Sequence, residues 1–238
     1  NDQYSEVFHH KGIALAHLQK YEQAIVSFDA ALRINPEYEE ALYERGRALI
    51  HTGKNKEAIS SFDRVLIHNP GFANAIYAKG RALLALGTYE EAITAFDRAW
   101  EINPTCYQAF FWKGRAYFEM GNYTAAITAF EHALENNHGT ADVYYFEGRA
   151  YAALDQHRQA VQSYDRSLEI RQNAETLSHK GVSLAELGMT RDAIETFDKA
   201  LEQNNNLADA WMGKGNVLYD LGKHQEAQAA YEKSLDIY

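Results

Sequence analysis

Four arginines recur every 34 residues in this chain of 238, and each follows an aromatic residue by four positions. The pairs are Tyr43/Arg47, Tyr77/Arg81, Phe111/Arg115 and Tyr145/Arg149. A guanidinium group offers forked donors that match a carboxylate or a phosphate, and an aromatic ring offers rigid apolar area. Arginine and tyrosine are also enriched at the hot spots of protein interfaces. The pattern therefore indicates recognition of an acidic and apolar ligand.

Residues four apart on a helix share one face, so each pair predicts a helix that presents both side chains together. One turn before the aromatic residues lie Glu40, Asn74, Gln108 and Asp142. We expect acids on this face to pair with Arg47 and Arg149, and the neutral amides to leave Arg81 and Arg115 less paired. The competing interpretation is that every arginine is paired within the chain. The candidate binding residues are Tyr43, Arg47, Asn74, Tyr77, Arg81, Gln108, Phe111, Arg115, Tyr145 and Arg149.

The helices that carry these pairs belong to a unit repeated along the whole chain. Seven glycines mark it at intervals of 34 residues, with one interval of 33: Gly12, Gly46, Gly80, Gly114, Gly148, Gly181 and Gly215. Twelve residues after each glycine comes an alanine, and four residues later a phenylalanine or tyrosine. A fixed period of this size predicts a stack of helical hairpins, each burying its apolar face on its neighbours.

Within the third repeat, helix-forming residues predict a first helix over 75–86 and a second over 89–102. A glycine inside a helix costs about 1 kcal/mol relative to alanine, so we expect Gly80 to permit close approach to Ala92 across the hairpin. Phe96 is then predicted to fill the space towards the next hairpin. Further glycines are expected to end the first helices, with Gln19 and Asp155 as exceptions: Gly53, Gly87, Gly121, Gly188 and Gly222.

These columns resemble the tetratricopeptide repeat family, in which an early glycine is followed by A-x3-F and a closing proline. Pro36, Pro70 and Pro104 close the first three repeats, and His138, Gln172 and Asn205 stand at the next three junctions. The resemblance implies an all-α solenoid, a right-handed superhelix of seven hairpins whose concave groove binds other proteins, often as short peptides. We expect one domain over residues 1–238, with repeats at 5–38, 39–72, 73–106, 107–140, 141–173, 174–207 and 208–238. The missing residue of the fifth repeat is predicted to lie in the turn at 171–173.

The composition of the chain argues against several classes of partner and site. A net charge of −10 argues against nucleic acid, whose binding needs a cationic surface. Cys106 is the single cysteine, which rules out an intrachain disulfide, and His9, His17 and His51 lack acidic or cysteine partners at metal-ligand spacing. We expect no cofactor, no metal site and no catalytic residues. Acids three residues before a leucine, or before Trp100 in one repeat, recur on the second helices and are predicted to be solvated surface: Asp29, Asp63, Asp97, Glu131, Asp165 and Asp198.

The sequence thus favours a non-enzymatic scaffold that binds an extended protein segment carrying acidic and apolar side chains. We expect no membrane partner, and the two uncapped ends offer surfaces for self-association. No stretch of this sequence has the pattern of a secretory signal or the length of a membrane span. The compartment stays unknown, with the cytoplasm favoured. Since the chain starts at Asn1 and stops at Tyr238 within a second helix, we expect a longer native protein. Two alternatives stay open: a regulatory or targeting domain of a larger enzyme, and a binder of an anionic polymer.

Overall fold

The computed structural model describes residues 2–135 and 140–237, and over these ranges the chain forms fourteen α-helices and no β-strand. The all-α prediction is confirmed, while His138 lies outside the described residues. None of the described helices is both long enough and apolar enough to cross a bilayer. The helices are α1 (Asp2–His17), α2 (Tyr21–Ile34), α3 (Glu39–His51), α4 (Asn55–His68), α5 (Ala73–Ala85), α6 (Tyr89–Ile102), α7 (Gln108–Glu119), α8 (Tyr123–Glu135), α9 (Ala141–Ala153), α10 (His157–Ile170), α11 (Ala174–Glu186), α12 (Thr190–Gln203), α13 (Ala208–Asp220) and α14 (His224–Leu235).

The helices divide between two compact units. Unit 1 spans Asn1–Met120 and contains α1 to α7, and unit 2 spans Gly121–Tyr238 and contains α8 to α14. In each unit every helix contacts the next one in the chain. The odd-numbered helices, which are the first helices of the repeats, also contact each other: α1, α3, α5 and α7 in unit 1, and α9, α11 and α13 in unit 2. Each unit is therefore a stack of hairpins with its first helices along one side.

At the repeat glycine, an aromatic ring of the second helix packs against the backbone of the first helix. A Cβ atom built on Gly80 would lie 2.7 Å from Cε1 of Phe96 in the same hairpin. Five other repeat glycines face the Phe or Tyr of their own hairpin in the same way: Gly12, Gly46, Gly148, Gly181 and Gly215. The nearest atoms to Gly80 belong to Phe96 rather than to the expected Ala92, which is fully buried in the same cluster as Phe96. The reason is the pairing of the two helices, which sets the glycine opposite the residue sixteen positions later rather than twelve.

The turns between the two helices of each hairpin use left-handed backbone at the predicted positions. Gly53, Gly87, Gly121, Gly188 and Gly222 have φ between 72° and 78°, a region that costs glycine little. The two non-glycine residues at equivalent turns adopt it as well, with φ of 58° at Gln19 and 57° at Asp155. The same turn geometry is thus kept where the sequence lacks its preferred residue.

The short fifth repeat also follows the prediction. Three residues, 171–173, connect α10 to α11, whereas four residues, 69–72, connect α4 to α5. Polar side chains close this turn: Gln172 donates a hydrogen bond to the Leu168 carbonyl at 2.8 Å, and the Asn173 side chain accepts one from the Thr176 backbone at 2.9 Å. Asn173 is therefore the N-cap of α11, which stabilises a helix start by about 1 kcal/mol.

The acids of the second helices are not simply solvated, which corrects the prediction for five of them. Each of these five aspartates pairs, at 2.5–2.6 Å, with the cation that immediately precedes the glycine of the next repeat. The carboxylates remain about half exposed, so each pair contributes at most about 1 kcal/mol. The pairs join successive hairpins at five junctions: Asp29–Arg45, Asp63–Lys79 and Asp97–Lys113 in unit 1, and Asp165–Lys180 and Asp198–Lys214 in unit 2.

We expect Ala92→Leu to lower the melting temperature clearly, because Ala92 is completely buried between packed helices. Overpacking of a filled core costs about 1–3 kcal/mol. The matched control is Glu91→Ala, since Glu91 is the adjacent, exposed residue of the same helix. Thermal unfolding followed by circular dichroism gives both values. Equal melting temperatures for the two variants would contradict a packing role for the alanine column.

Candidate functional site

Two of the predicted aromatic–arginine pairs, Tyr43/Arg47 and Tyr145/Arg149, are in contact on their first helices. On α3 of unit 1, the guanidinium carbon of Arg47 lies 5.8 Å from the centre of the Tyr43 ring. On α9 of unit 2, the guanidinium carbon of Arg149 lies 5.6 Å from the Tyr145 ring and 5.4 Å from the Phe146 ring. These distances suit cation–π contact, which holds each arginine against an aromatic surface.

The centre of the unit 1 site is an indole that the sequence analysis did not select. The guanidinium carbon of Arg81, on α5, lies 4.6 Å from the ring centre of Trp112 on α7. That of Arg115, on α7 itself, lies 5.9 Å from the same ring centre. Trp112 stands two residues before the repeat glycine, next to Phe111, whose ring it meets edge-on at 5.2 Å. The signal was present in the sequence, because Phe146 and His179 occupy the same column with further aromatic rings.

The arginines of the site pair with different acidic residues from those that we predicted. Arg47 pairs with Glu44, one turn away, at 3.0 Å to each carboxylate oxygen, instead of with Glu40. Arg115, which we expected to be less paired, lies 3.4 Å from Glu119. Both outcomes follow from helix geometry, since residues three or four apart face each other while those seven apart are separated by two turns.

Arg81, which we expected to be less paired than Arg47 and Arg149, has no acidic partner among the residues that the structure describes. It forms no ion pair or hydrogen bond with any residue that the structure describes, and its Nε is buried without an acceptor. The neighbouring Tyr77 is mostly buried, and burial raises the pKa of its hydroxyl although the Arg81 charge opposes that shift. Arg81 therefore presents a charged donor group on an aromatic support.

A pocket of about 320 Å³ opens beside Arg47. In it the rings of Tyr21 and His51 stack in parallel, with centroids 4.2 Å apart. Burial, and secondarily the charges of Arg81 and Arg47, lower the pKa of His51. The pocket is lined by Ile13, Ala16, His17, Gln19, Tyr21, Glu44, Arg47, Ala48 and His51.

Unit 2 carries a second aromatic cluster around Tyr145. The ring of His179 lies 5.6 Å from Tyr145, and burial, helped by the charge of Arg149, lowers the pKa of His179 to about 4. Asp142, which we expected beside Arg149, instead accepts a hydrogen bond from Arg171 at 2.5 Å. This contact joins α9 to the shortened turn after α10.

The two predicted amide residues lie at the starts of their helices. Asn74 on α5 and Gln108 on α7 are both exposed. Repeats two to five hold arginine and an aromatic residue in two columns of the first helix. Val182 takes the arginine position in the sixth repeat and Met212 the aromatic position in the seventh, with exposed fractions of 42% and 45%. The first-helix side of unit 2 therefore offers apolar surface in addition to Arg149.

The family models that match this chain all describe the same kind of repeat. Sequence models described as tetratricopeptide repeat match residues 10–74, 43–105, 77–137, 111–175 and 172–238, which together span most of the chain. No curated protein matches this sequence closely enough to count as a relative.

Solved structures show the same fold. YrrB, described as a TPR protein with an unusual peptide-binding site, is 25% identical, with 75% of this chain and 93% of YrrB covered and a TM-score of 0.65. The type IV pilus biogenesis factor PilW is 22% identical over 91% of this chain and 99% of its own, with a TM-score of 0.78. A tetratricopeptide repeat protein from Parabacteroides merdae is 17% identical over 99% and 93%, with a TM-score of 0.75.

Proposed function

Because the chain belongs to the tetratricopeptide repeat family, whose fold serves as a scaffold for protein–protein interaction, we propose that it binds an extended segment of a partner protein along its first helices. In this family those helices line the concave groove. The protein acts as a non-enzymatic scaffold, and the partner segment carries both acidic and apolar side chains.

The observation that supports this proposal most strongly is the set of contacts made by the Arg81 side chain. Its guanidinium lies 4.6 Å from the Trp112 ring and has no acid partner in the described part of the chain. A charged group held in this way has already lost much of its side-chain freedom, so less entropy is lost when a ligand binds. A carboxylate of the partner can accept its forked hydrogen bonds, which are roughly twice as strong as those between neutral groups.

This protein also offers apolar residues on which apolar side chains of the partner can pack. In unit 1 the half-buried rings of Tyr77, Phe111 and Trp112 stand beside the arginines. In unit 2 the exposed Val182 and Met212 replace the charged and aromatic residues of the other repeats. Apolar side chains of an extended segment would be stabilised by about 25 cal/mol per Å² of area that they bury there.

The position of the partner can be tested by photo-crosslinking. We expect a photoreactive residue at Asn74 or Gln108 to capture a protein partner from a lysate, because both positions are exposed on the first helices. The matched control is the same residue at Arg33, which is exposed on the second helix α2 of unit 1. Crosslinks at Arg33 but not at Asn74 and Gln108 would contradict groove binding.

The same experiment separates the anionic-polymer alternative. A polysaccharide or RNA held by the arginines would be released as salt rises, because such binding depends on the release of counterions. A protein segment that also buries apolar area should stay bound through a moderate rise in salt. Capture of a polymer that dissociates in this way would replace the proposed partner class.

A further inference from the structure

One junction between hairpins departs from the pattern of the others. At five junctions an aspartate of a second helix pairs with the lysine or arginine just before the next repeat glycine. At the α8–α9 junction of unit 2, the acidic position holds Glu131 and the cationic position holds Glu147. Two like charges therefore occupy a place where opposite charges elsewhere stabilise the contact.

We propose that Glu131 and Glu147 make the α8–α9 junction a proton-dependent contact, which holds α9 more firmly at acidic than at neutral pH. The helix α9 also carries Tyr145 and Arg149, so the device would regulate the first-helix surface of unit 2. Only this link to binding rests on the proposed function. The device itself depends on the packing of α8, α9 and α10.

Glu147 is deeply enclosed. It is 7% exposed, and its Oε2 accepts a hydrogen bond from the Ser163 hydroxyl of α10 at 2.7 Å. The charge of Glu131 on α8 acts on Glu147, and Glu131 itself accepts a hydrogen bond from the Tyr151 hydroxyl of α9 at 3.4 Å. Neither glutamate forms an ion pair with a residue in the described ranges. The surrounding groups can thus stabilise one negative charge through hydrogen bonds, but they supply no positive charge for a second.

Protonation removes this conflict. Burial, opposed by the Ser163 hydrogen bond and reinforced by the charge of Glu131, raises the pKa of Glu147 above its ordinary value. Because the folded pKa is raised, the stabilising effect is fully present below the pKa of the unfolded chain. It is lost as pH rises through the folded pKa.

The experiment is amide hydrogen exchange of the full chain between about pH 4 and pH 8, corrected for the intrinsic exchange rate. We expect protection of the α8 and α9 amides in the wild type to be lower at the neutral end of this range than at its acidic end. In Glu147→Gln, which retains the shape but cannot ionise, protection should not change with pH. In Glu147→Lys, which restores the pattern of the other junctions, protection should be higher than in the wild type at neutral pH.

Two controls keep the outcome decisive. The α10–α11 junction, joined by Asp165 and Lys180 at 2.5 Å, should not lose protection as pH rises in any of these proteins. Should Glu147→Gln fail to fold, Glu131→Gln removes the like charge from the more exposed side and should weaken the pH dependence, while the part due to burial of Glu147 remains. A wild type whose α8–α9 protection is independent of pH, a Glu147→Gln variant that keeps the dependence, or a Glu131→Gln variant that leaves it undiminished would overturn the proposal. Neither result depends on whether the first-helix surface binds a partner.

Discussion

Phe96→Ala should lower the free energy of unfolding by about 3–5 kcal/mol, because a fully buried ring is removed and a cavity is left. Phe96 lies in a cluster with Leu83, Ala92, Cys106 and Ala109, and its ring also covers the backbone at Gly80. Urea denaturation followed by circular dichroism measures the loss. A change as small as that of a surface substitution would show that the aromatic column does not hold the hairpins together.

A second substitution tests the contact between ring and glycine. Gly80→Ala places a Cβ atom 2.7 Å from Cε1 of Phe96, so we expect it to destabilise the otherwise unchanged protein. In the Phe96→Ala background the ring is gone, and the same change should stabilise the helix by up to about 1 kcal/mol through its higher helix propensity. An equal effect of Gly80→Ala in both backgrounds would contradict the contact.

Much of this fold follows from the sequence because its signals are local. The left-handed turns were predicted from glycines at fixed spacing, and even the exceptions, Gln19 and Asp155, adopt the same backbone. The second helix of the third repeat, Tyr89–Ile102, has the predicted bounds. The partner of Gly80 was missed because the period places glycine, alanine and phenylalanine on two helices without saying which residues meet.

The ion pairs between hairpins needed information that a single repeat does not contain. Asp63 and Lys79 are sixteen residues apart and belong to different repeats, so neither looks paired within its own helix. The same holds for the site, since Arg81 of α5 meets Trp112 of α7 in the next repeat. Side-chain partners across a junction depend on how successive hairpins pack, and a column-by-column interpretation of the sequence leaves that open.

Removing the Arg81 side chain should weaken partner binding tenfold to a hundredfold. Loss of a hydrogen bond to a charged group costs about 1.5–3 kcal/mol, which corresponds to a change in affinity of about this size. Arg115→Ala should act in the same direction, because its guanidinium faces the same indole. Stability should change little, since Arg81 forms no ion pair with any residue described by the structure.

The most direct measurement is calorimetric titration of the captured partner segment into the wild type, Arg81→Ala, the Arg81→Ala/Arg115→Ala double variant and an Arg33→Ala control. Melting temperatures of the four proteins establish that each remains folded. We expect weaker binding by both Arg81 variants, weakest by the double variant, and unchanged binding by the Arg33 control. Unchanged affinity in the folded double variant would contradict this expectation and would move the binding site away from the first helices of unit 1.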